Sequence, residues 1–267
     1  MPELPEVEGY RALAEQRALG RQIGSVVSPD LWYLKRGLDP EGVSTALAGR
    51  QFRRARRRGK LLLLDVGPTA EEGEEESVLG VHFGMSGRLI VDGLASVERL
   101  LYSAGSDSSY DRFVVQFSDG GMLAVRDPRR LGGVELDPDE NRLGPDALGV
   151  TPGELRRALA GSHAPLKARL LDQARLAGVG NLIADEVLWR AGLAPERPSN
   201  SLTPAELRRL HRHLSAGLAE LIERGGSHMG DLEPHRHPGG LCPRDHTPLT
   251  RATVGGRTTW WCPHHQR

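Results

Sequence analysis

Cysteine is close to absent: of 267 residues only Cys242 and Cys262 are cysteines, which excludes a scaffold held by several disulfides. No run of about 18 apolar residues occurs, and no charged-then-apolar leader precedes the first helical segment, so neither membrane insertion nor secretion is expected. A cytoplasmic protein is the expectation. Net charge is missing too: 35 Lys and Arg balance 35 Asp and Glu, so bulk charge implies no polyanionic partner. With 38% hydrophobic residues the chain can build modest cores better than one large one, and its length suits two domains or one large domain.

The charge that is there is unevenly placed. Arg53, Arg54, Arg56, Arg57, Arg58 and Lys60 crowd one segment, and acids cluster in EEGEEE at 71–76. Such basic runs are ordinarily solvated faces. This one leads through Gly59-Lys60 into LLLLDV, short and apolar enough for a buried strand, which puts Lys60 at a strand mouth. The acidic stretch, preceded by Gly67-Pro68, reads as a solvated loop.

The first half is strand-like. QIGSVV, LLLLDV, VLGVHF, GRLIVD, RFVVQF and MLAVRD are short, rich in Val, Leu and Ile, and punctuated by Gly, Ser and Asp. They predict a β-sandwich or flattened barrel with the first helix packed across it. After about residue 150 the texture turns helical. TPGELRRALAG and LTPAELRRLHRHLSAGLAELI each contain Thr-Pro-x-Glu, a capping box with proline at the first helical position. Between them, PLKARLLDQARLAGVGNLIADEVLWRAGL divides into helix, turn and helix around Gly178-Val179-Gly180-Asn181. Such a turn can offer backbone N–H groups at a helix N-terminus to one phosphate; a plain corner between helices, ended by glycines, is the alternative. The fold class expected is α+β.

CPRD at 242–245 and CPHH at 262–265 bracket LTRATVGGRTTWW, a β-hairpin with Gly255-Gly256 at its turn. Cys-x2-Asp, sixteen residues, then Cys-x2-His is the outline of a zinc ribbon with two of four thiolates replaced. Cys242, Asp245, Cys262 and His265 would then hold one structural Zn2+. A disulfide is the alternative, disfavoured in a cytoplasmic chain. Asp245 keeps the two-residue spacing; His246 is its rival, with one residue of slack, while His264 would have to reach round Pro263.

At the other end the chain begins MPELPEVEGYRAL. Proline near a helix start is common, and Glu6, Val7, Tyr10, Leu13, Ala14 and Leu19 fit an ordinary amphipathic helix with acid at its positive end. A methionine before a small residue is usually removed, however, which would leave Pro2 as a free secondary amine beside Glu3.

Taken in order, MPELPEVE, the Gly-Lys entering an apolar strand, HFGMSGRL, DPRRLGG, LLDQARLAGVGNLIADEVLWRAGLAPERP and VGGR between the cysteine knuckles resemble the formamidopyrimidine-DNA glycosylase family, bacterial base-excision repair enzymes related to endonuclease VIII. The resemblance runs from residue 2 to the C-terminus. It implies a catalytic β-sandwich domain over 1–140, a helix–two-turn–helix DNA-binding domain over 150–228 and a zinc-ribbon hairpin over 238–267. It implies a bifunctional DNA glycosylase/AP lyase that flips an oxidised base out of double-stranded DNA, excises it and cleaves the abasic site by β,δ-elimination.

The same resemblance implies residue roles. An α-amino group titrates near about 7.7–8.0 against about 10.4 for lysine, so Pro2 is a ready nucleophile toward C1′. Its secondary amine gives a permanently charged iminium, an electron sink for the eliminations. Glu3 would protonate O4′ to open the sugar and Lys60 would stand near the lesion and its phosphate, acid–base help typically worth about 10²–10⁴ in rate. Glu6 would support binding beside the nucleophile. Met85, Arg129 and Leu131 would enter the void, Arg129 donating to the orphaned cytosine and the apolar pair wedging the stack. Without the resemblance Met85 reads as core and Arg129 as a solvated turn charge. Lys167, Asn181 and Arg257 would hold backbone phosphates. A monomer is expected on damaged DNA, with no membrane partner and with affinity that falls steeply with salt.

Three features depart from the family pattern. Leu131 stands where the wedge is usually aromatic, GGSHMGDLEPHRHPGGLC is shorter than the usual segment carrying the loop that closes over 8-oxoguanine, and two zinc ligands are changed. The first two affect the preferred lesion, leaving open an endonuclease VIII-like preference for oxidised pyrimidines. A lesion- or abasic-site-binding protein, or a small-molecule tautomerase using a terminal proline, are the rival functions; the first leaves the Pro2, Glu3, Lys60 set without a reason, the second leaves the ribbon and the phosphate turn without one.

Overall fold

A computed structural model describes residues 1–68, 77–96 and 107–267, and the acidic stretch 71–76 lies outside the described residues. The chain divides into two compact units, Met1–Pro2 with Glu6–Glu140 and Glu3–Pro5 with Asn141–Arg267.

In the first unit helix α1 (Leu4–Arg17) turns Val7, Tyr10, Leu13 and Ala14 into the core. Leu19 falls beyond its end and is half-buried, bridged to Phe52. The described strands form two four-stranded antiparallel sheets. One runs β1 (Ile23–Val27), β6 (Asp111–Phe117), β7 (Met122–Arg126), β5 (Arg88–Val91); the other runs β2 (Gln51–Arg58), β3 (Leu61–Gly67), β4 (Ser77–His82), β8 (Gly133–Leu136). Leu62, Leu64, Leu79 and Val81 from one sheet meet Phe113, Val115, Leu123 and Val125 from the other in a single apolar core. Alternate residues of each strand therefore face the partner sheet, and the result is a β-sandwich.

The basic run is a strand, β2, hairpinned to β3 with Arg58 opposite Leu61. A bulge between Phe52 and Arg54 lets Phe52 and Ala55 both turn inward while Arg53 and Arg54 stay exposed, which hides the period of two from a reading of sequence. Neighbouring acids neutralise much of it: Arg56 pairs with Asp65 at 2.8 Å and Glu140 at 2.9 Å, and Arg57 with Glu8 at 2.9 Å. Also unanticipated are β8 and α2 (Pro40–Leu47), which Asp39 caps through Gly42 N with Pro40 in the first turn.

The second unit contains α3 (Pro152–Leu159), α4 (Leu166–Leu171), α5 (Asn181–Ala191) and α6 (Pro204–Glu223), then the hairpin β9 (Thr250–Val254) and β10 (Arg257–Trp261). Both Thr-Pro-x-Glu sequences form the expected capping boxes, Thr151 with Glu154 and Thr203 with Glu206. Leu155, Leu170, Ile183, Leu188, Leu210 and Leu214 belong to one helical core. A separate small core of Trp189, Leu232, Leu249 and Trp260 with the two cysteines underlies the hairpin. No helix among the described residues is long and apolar enough to cross a membrane.

Candidate functional site

Glu3 is buried in the second unit, and its carboxylate accepts hydrogen bonds from Leu182 N at 2.9 Å and Ile183 N at 3.1 Å. These N–H groups belong to the first turn of α5, where a helix has no backbone acceptors of its own and favours an anion. The glycine turn thus offers these two N–H groups to a carboxylate of the chain itself. The glycines are shaped to that arm. A Cβ on Gly180 would fall 2.2 Å from Glu3 Cδ, and one on Gly178, at φ +112, would fall 2.5 Å from Leu4 Cδ1. Leu4 N also donates to Gly178 O at 3.2 Å. Asn181 opens α5 half-buried, its amide oxygen buried without a hydrogen-bond partner among the described residues.

In the first unit Pro2 and Glu6 are buried. Lys60 occupies the two-residue turn between β2 and β3 and is half-buried. Across β3 and β4, Leu61, next to Lys60 in sequence, is paired with His82. His82 is exposed, and partial desolvation of its ring, then the Lys60 charge, hold its pKa below its ordinary value. His82 Nδ1 accepts from Gly84 N at 3.2 Å, which couples this cationic corner to the next loop. Its place in HFGMSG gave no chemical signal by itself.

Met85, Arg129 and Leu131 are all exposed, on two loops that Asp127 joins. The fully buried Asp127 carboxylate accepts from Ser86 Oγ at 2.5 Å, Arg129 N at 3.2 Å and Gly132 N at 2.8 Å. Gly84, at φ +57, completes the junction, because a Cβ there would fall 2.4 Å from the Leu131 carbonyl carbon. Neither Asp127 nor Gly84 carries a spacing signal; only the folded loops disclose their role.

Lys167 calls for a correction. It is fully buried, with Nζ 2.7 Å from Asp185 Oδ1, and donates to Thr259 Oγ1 at 2.7 Å and Thr258 O at 3.2 Å. Asp185 also pairs with Arg236 at 2.8 Å. Buried ammonium groups need such complete pairing, so Lys167 ties α4 to α5 and β10 and is not placed to meet a phosphate at the surface. Arg257 does lie exposed, at the hairpin end. Gly255 and Gly256, at φ +58 and +71, form its two-residue turn, and Gly255 packs on Ala168 of α4.

The ligand atoms of Cys242, Asp245, Cys262 and His265 lie within 4.8 Å of one another. His265 turns Nδ1 toward the Asp245 carboxylate, at 3.0 Å, and Nε2 toward Trp189 O, at 3.2 Å. Trp189 Nε1 and Arg244 N each approach Cys242 Sγ at 3.4 Å. An imidazole oriented by a carbonyl and a sulfur receiving N–H groups are the surroundings metal ligands have. His246 lies outside this cluster, in a left-handed turn at φ 58.

Residues 1–134 match the family described as formamidopyrimidine-DNA glycosylase N-terminal domain, and residues 143–232 that described as formamidopyrimidine-DNA glycosylase H2TH domain. The chain is 36% identical to the formamidopyrimidine-DNA glycosylase of Cereibacter sphaeroides over all of both chains. It is 38% identical to that of Thermus thermophilus over 98% of this chain and 97% of the relative. The Lactococcus lactis protein in complex with abasic-site-containing DNA superimposes with a TM-score of 0.82 at 26% identity over 99% of each chain. Its complex with DNA containing N7-benzyl-Fapy-dG gives 0.83 at 26% identity over all of both chains. A β-sandwich joined in sequence to this helical unit and a cysteine-knuckled hairpin defines a DNA repair glycosylase. The chain belongs to the formamidopyrimidine-DNA glycosylase family.

Replacing Asp127 tests the junction of the two loops. Asp127→Ala strands three donors and should lower the unfolding free energy by about 3 kcal/mol, with Asp127→Asn milder because one acceptor oxygen remains. Urea denaturation reads this directly; unchanged stability of the alanine variant would mean that the loops are held by other contacts.

Proposed function

We propose that the protein is a bifunctional DNA glycosylase/AP lyase that works as a cytoplasmic monomer on oxidised bases of double-stranded DNA. The observation that carries this reading is the anchored Glu3: the residue directly after Pro2 is buried and bonded twice to α5, so the proline is the end of a docked arm rather than a frayed terminus. With Met1 removed, the neutral Pro2 nitrogen attacks C1′ and the C1′–base bond breaks, the base leaving with the electron pair and taking a proton from solvent while the Pro2 N–H proton passes to the Glu3 carboxylate. Glu3 delivers a proton to O4′ as the sugar opens, leaving an iminium between Pro2 and C1′. The 2′ proton then passes to solvent, its C–H electron pair flows toward the iminium and the C3′–O bond breaks to release the 3′ phosphate, and a second elimination in the same sense expels the 5′ phosphate. Lys60, with His82 beside it, holds phosphate at the lesion; Glu6 supports the arm. Arg129 donates to the orphaned base while Met85 and Leu131 fill the void. Asn181 and Arg257 grip the backbone. Net neutrality is no obstacle, because these cations act locally and their affinity falls with salt.

Borohydride should trap the processed protein on abasic-site DNA, and Pro2→Gly should lose most of that adduct, as should protein retaining Met1. The alternative nucleophiles are few, since Lys35, Lys60 and Lys167 are the chain's lysines. Undiminished trapping by Pro2→Gly would sink the mechanism.

The aliphatic Leu131 and the short segment before the first knuckle favour formamidopyrimidines and abasic sites over 8-oxoguanine opposite cytosine. A flipped 8-oxoguanine differs little from guanine, and fewer enclosing contacts leave less to tell them apart. In a panel of duplexes with one defined lesion each, Leu131→Phe with a longer grafted loop should raise 8-oxoguanine excision; no change would discard this account.

Cys242, Asp245, Cys262 and His265 are suited to one zinc ion by their donor set and by the orientation of His265. Bound there, zinc would cross-link the two knuckles and give the hairpin folding free energy that its small core lacks; it takes no part in the chemistry at C1′. Metal analysis should give one zinc per chain in the wild type, retained in His246→Ala and lost in Asp245→Ala. Chelation should weaken DNA binding through Arg257. Zinc lost only from His246→Ala would refute the assignment of Asp245, and a wild type without zinc would refute the site.

A further inference from the structure

Four of the exposed large apolar side chains, Leu31 (66%), Trp32 (67%), Met85 (36%) and Leu131 (49%), belong to three segments that the fold brings side by side. The juxtaposition of the segments follows from register. Residues 30–35 run alongside 130–134: Arg130 donates to both oxygens of Asp30 at 2.6 and 2.7 Å, Lys35 N donates to Val134 O at 2.9 Å, and Leu34 bridges Val134 in parallel. Between these ties the Tyr33 hydroxyl lies so close that a Cβ on Gly132 would fall 2.3 Å from it. Leu31 and Trp32 therefore lie abreast of Leu131, and the contact of Gly84 with Leu131 brings Met85 to the same place.

We infer that Trp32 stacks on a nucleobase of the strand opposite the lesion, beside the orphaned base, and supplies the aromatic surface that Leu131 lacks. The inference rests on the DNA-repair function proposed above. Large apolar side chains left in water mark a contact surface when they are contiguous, and this patch is continuous with the loop carrying Arg129. Its turn is held in place, since Asp30 accepts from Trp32 N at 3.1 Å while locked to Arg130. Lys35 Nζ lies 4.7 Å from the Trp32 ring centroid and donates to Trp32 O at 2.6 Å. Cations at Lys35, Arg129 and Arg130 thus rim an apolar centre, which suits stacked bases flanked by phosphates better than a neutral protein face. The strand follows from adjacency, because Arg129 and Leu131 serve the orphaned base and Trp32 stands next to Leu131.

Trp32 is exposed whereas Trp189 and Trp260 are buried and Trp261 is half-buried, so the emission change that Trp32→Phe removes reports Trp32. On titrating the full chain with a duplex carrying a tetrahydrofuran abasic analogue opposite cytosine, tryptophan emission should fall, and the fall should vanish in Trp32→Phe, whose affinity stays within about twofold. Trp32→Ala should raise Kd about 5- to 150-fold, the range for losing one base–aromatic stack. 2-Aminopurine placed beside the orphaned base should be quenched by the wild type more than by Trp32→Ala. The phenylalanine variant keeps the test valid should Trp32→Ala fold poorly. Unchanged affinity in Trp32→Ala with the emission change retained in Trp32→Phe would overturn this inference and leave the enzymatic reading intact. A dimer of the free protein that Trp32→Ala dissolves would assign the patch to a second copy and also overturn it. Failure of the unaltered protein to bind or be trapped on abasic DNA would instead overturn the proposed function, and this inference with it.

Discussion

The carboxylate of Glu3 on the first turn of α5 is the interaction on which the rest depends. A helix start leaves N–H groups without acceptors, and a buried carboxylate needs donors; each satisfies the other. The cost of this fit is paid in side chains that cannot be there, at Gly178 and Gly180, where any Cβ would collide with Leu4 or Glu3. The glycine turn and the N-terminal arm are therefore one feature, although more than 170 residues separate them in sequence.

Asp127 does for the loops of Met85 and Leu131 what the helix start does for the arm. Its carboxylate gathers a hydroxyl and two backbone N–H groups from segments that strand pairing alone would not hold together. With the polar groups satisfied beneath, Met85 and Leu131 can remain in water above. An exposed apolar residue on a mobile loop would collapse onto the nearest core; on a loop pinned from below it stays available.

The hairpin is too small to hold Arg257 by its own core. It is tied down instead by Lys167, Asp185 and Arg236 on one side and by the packing of Trp189 and Trp260 around the cysteines on the other. Lys167 thus has a place in the architecture that differs from the phosphate contact its sequence position suggested. Charge alone does not distinguish the two uses of an ammonium; burial and partners do.

Patterns that depend on neighbours in sequence were legible without a structure. The six strand segments, both capping boxes, the Gly255-Gly256 turn and the Asp245 spacing follow from periods, caps and turns that act over a few residues. Strand β2 was not, because its bulge breaks the alternation and its arginines find acids on other elements. Nor could sequence say that the helix α5 start holds Glu3, that Lys167 is buried, or that residues 30–35 run alongside 130–134. Each of those is a meeting of residues far apart in the chain, and spacing carries no information about partners brought together only by the packing of a core. Local propensity determined which elements form; tertiary packing alone decided which charges are buried, which glycines are obligatory and which apolar side chains are left facing water.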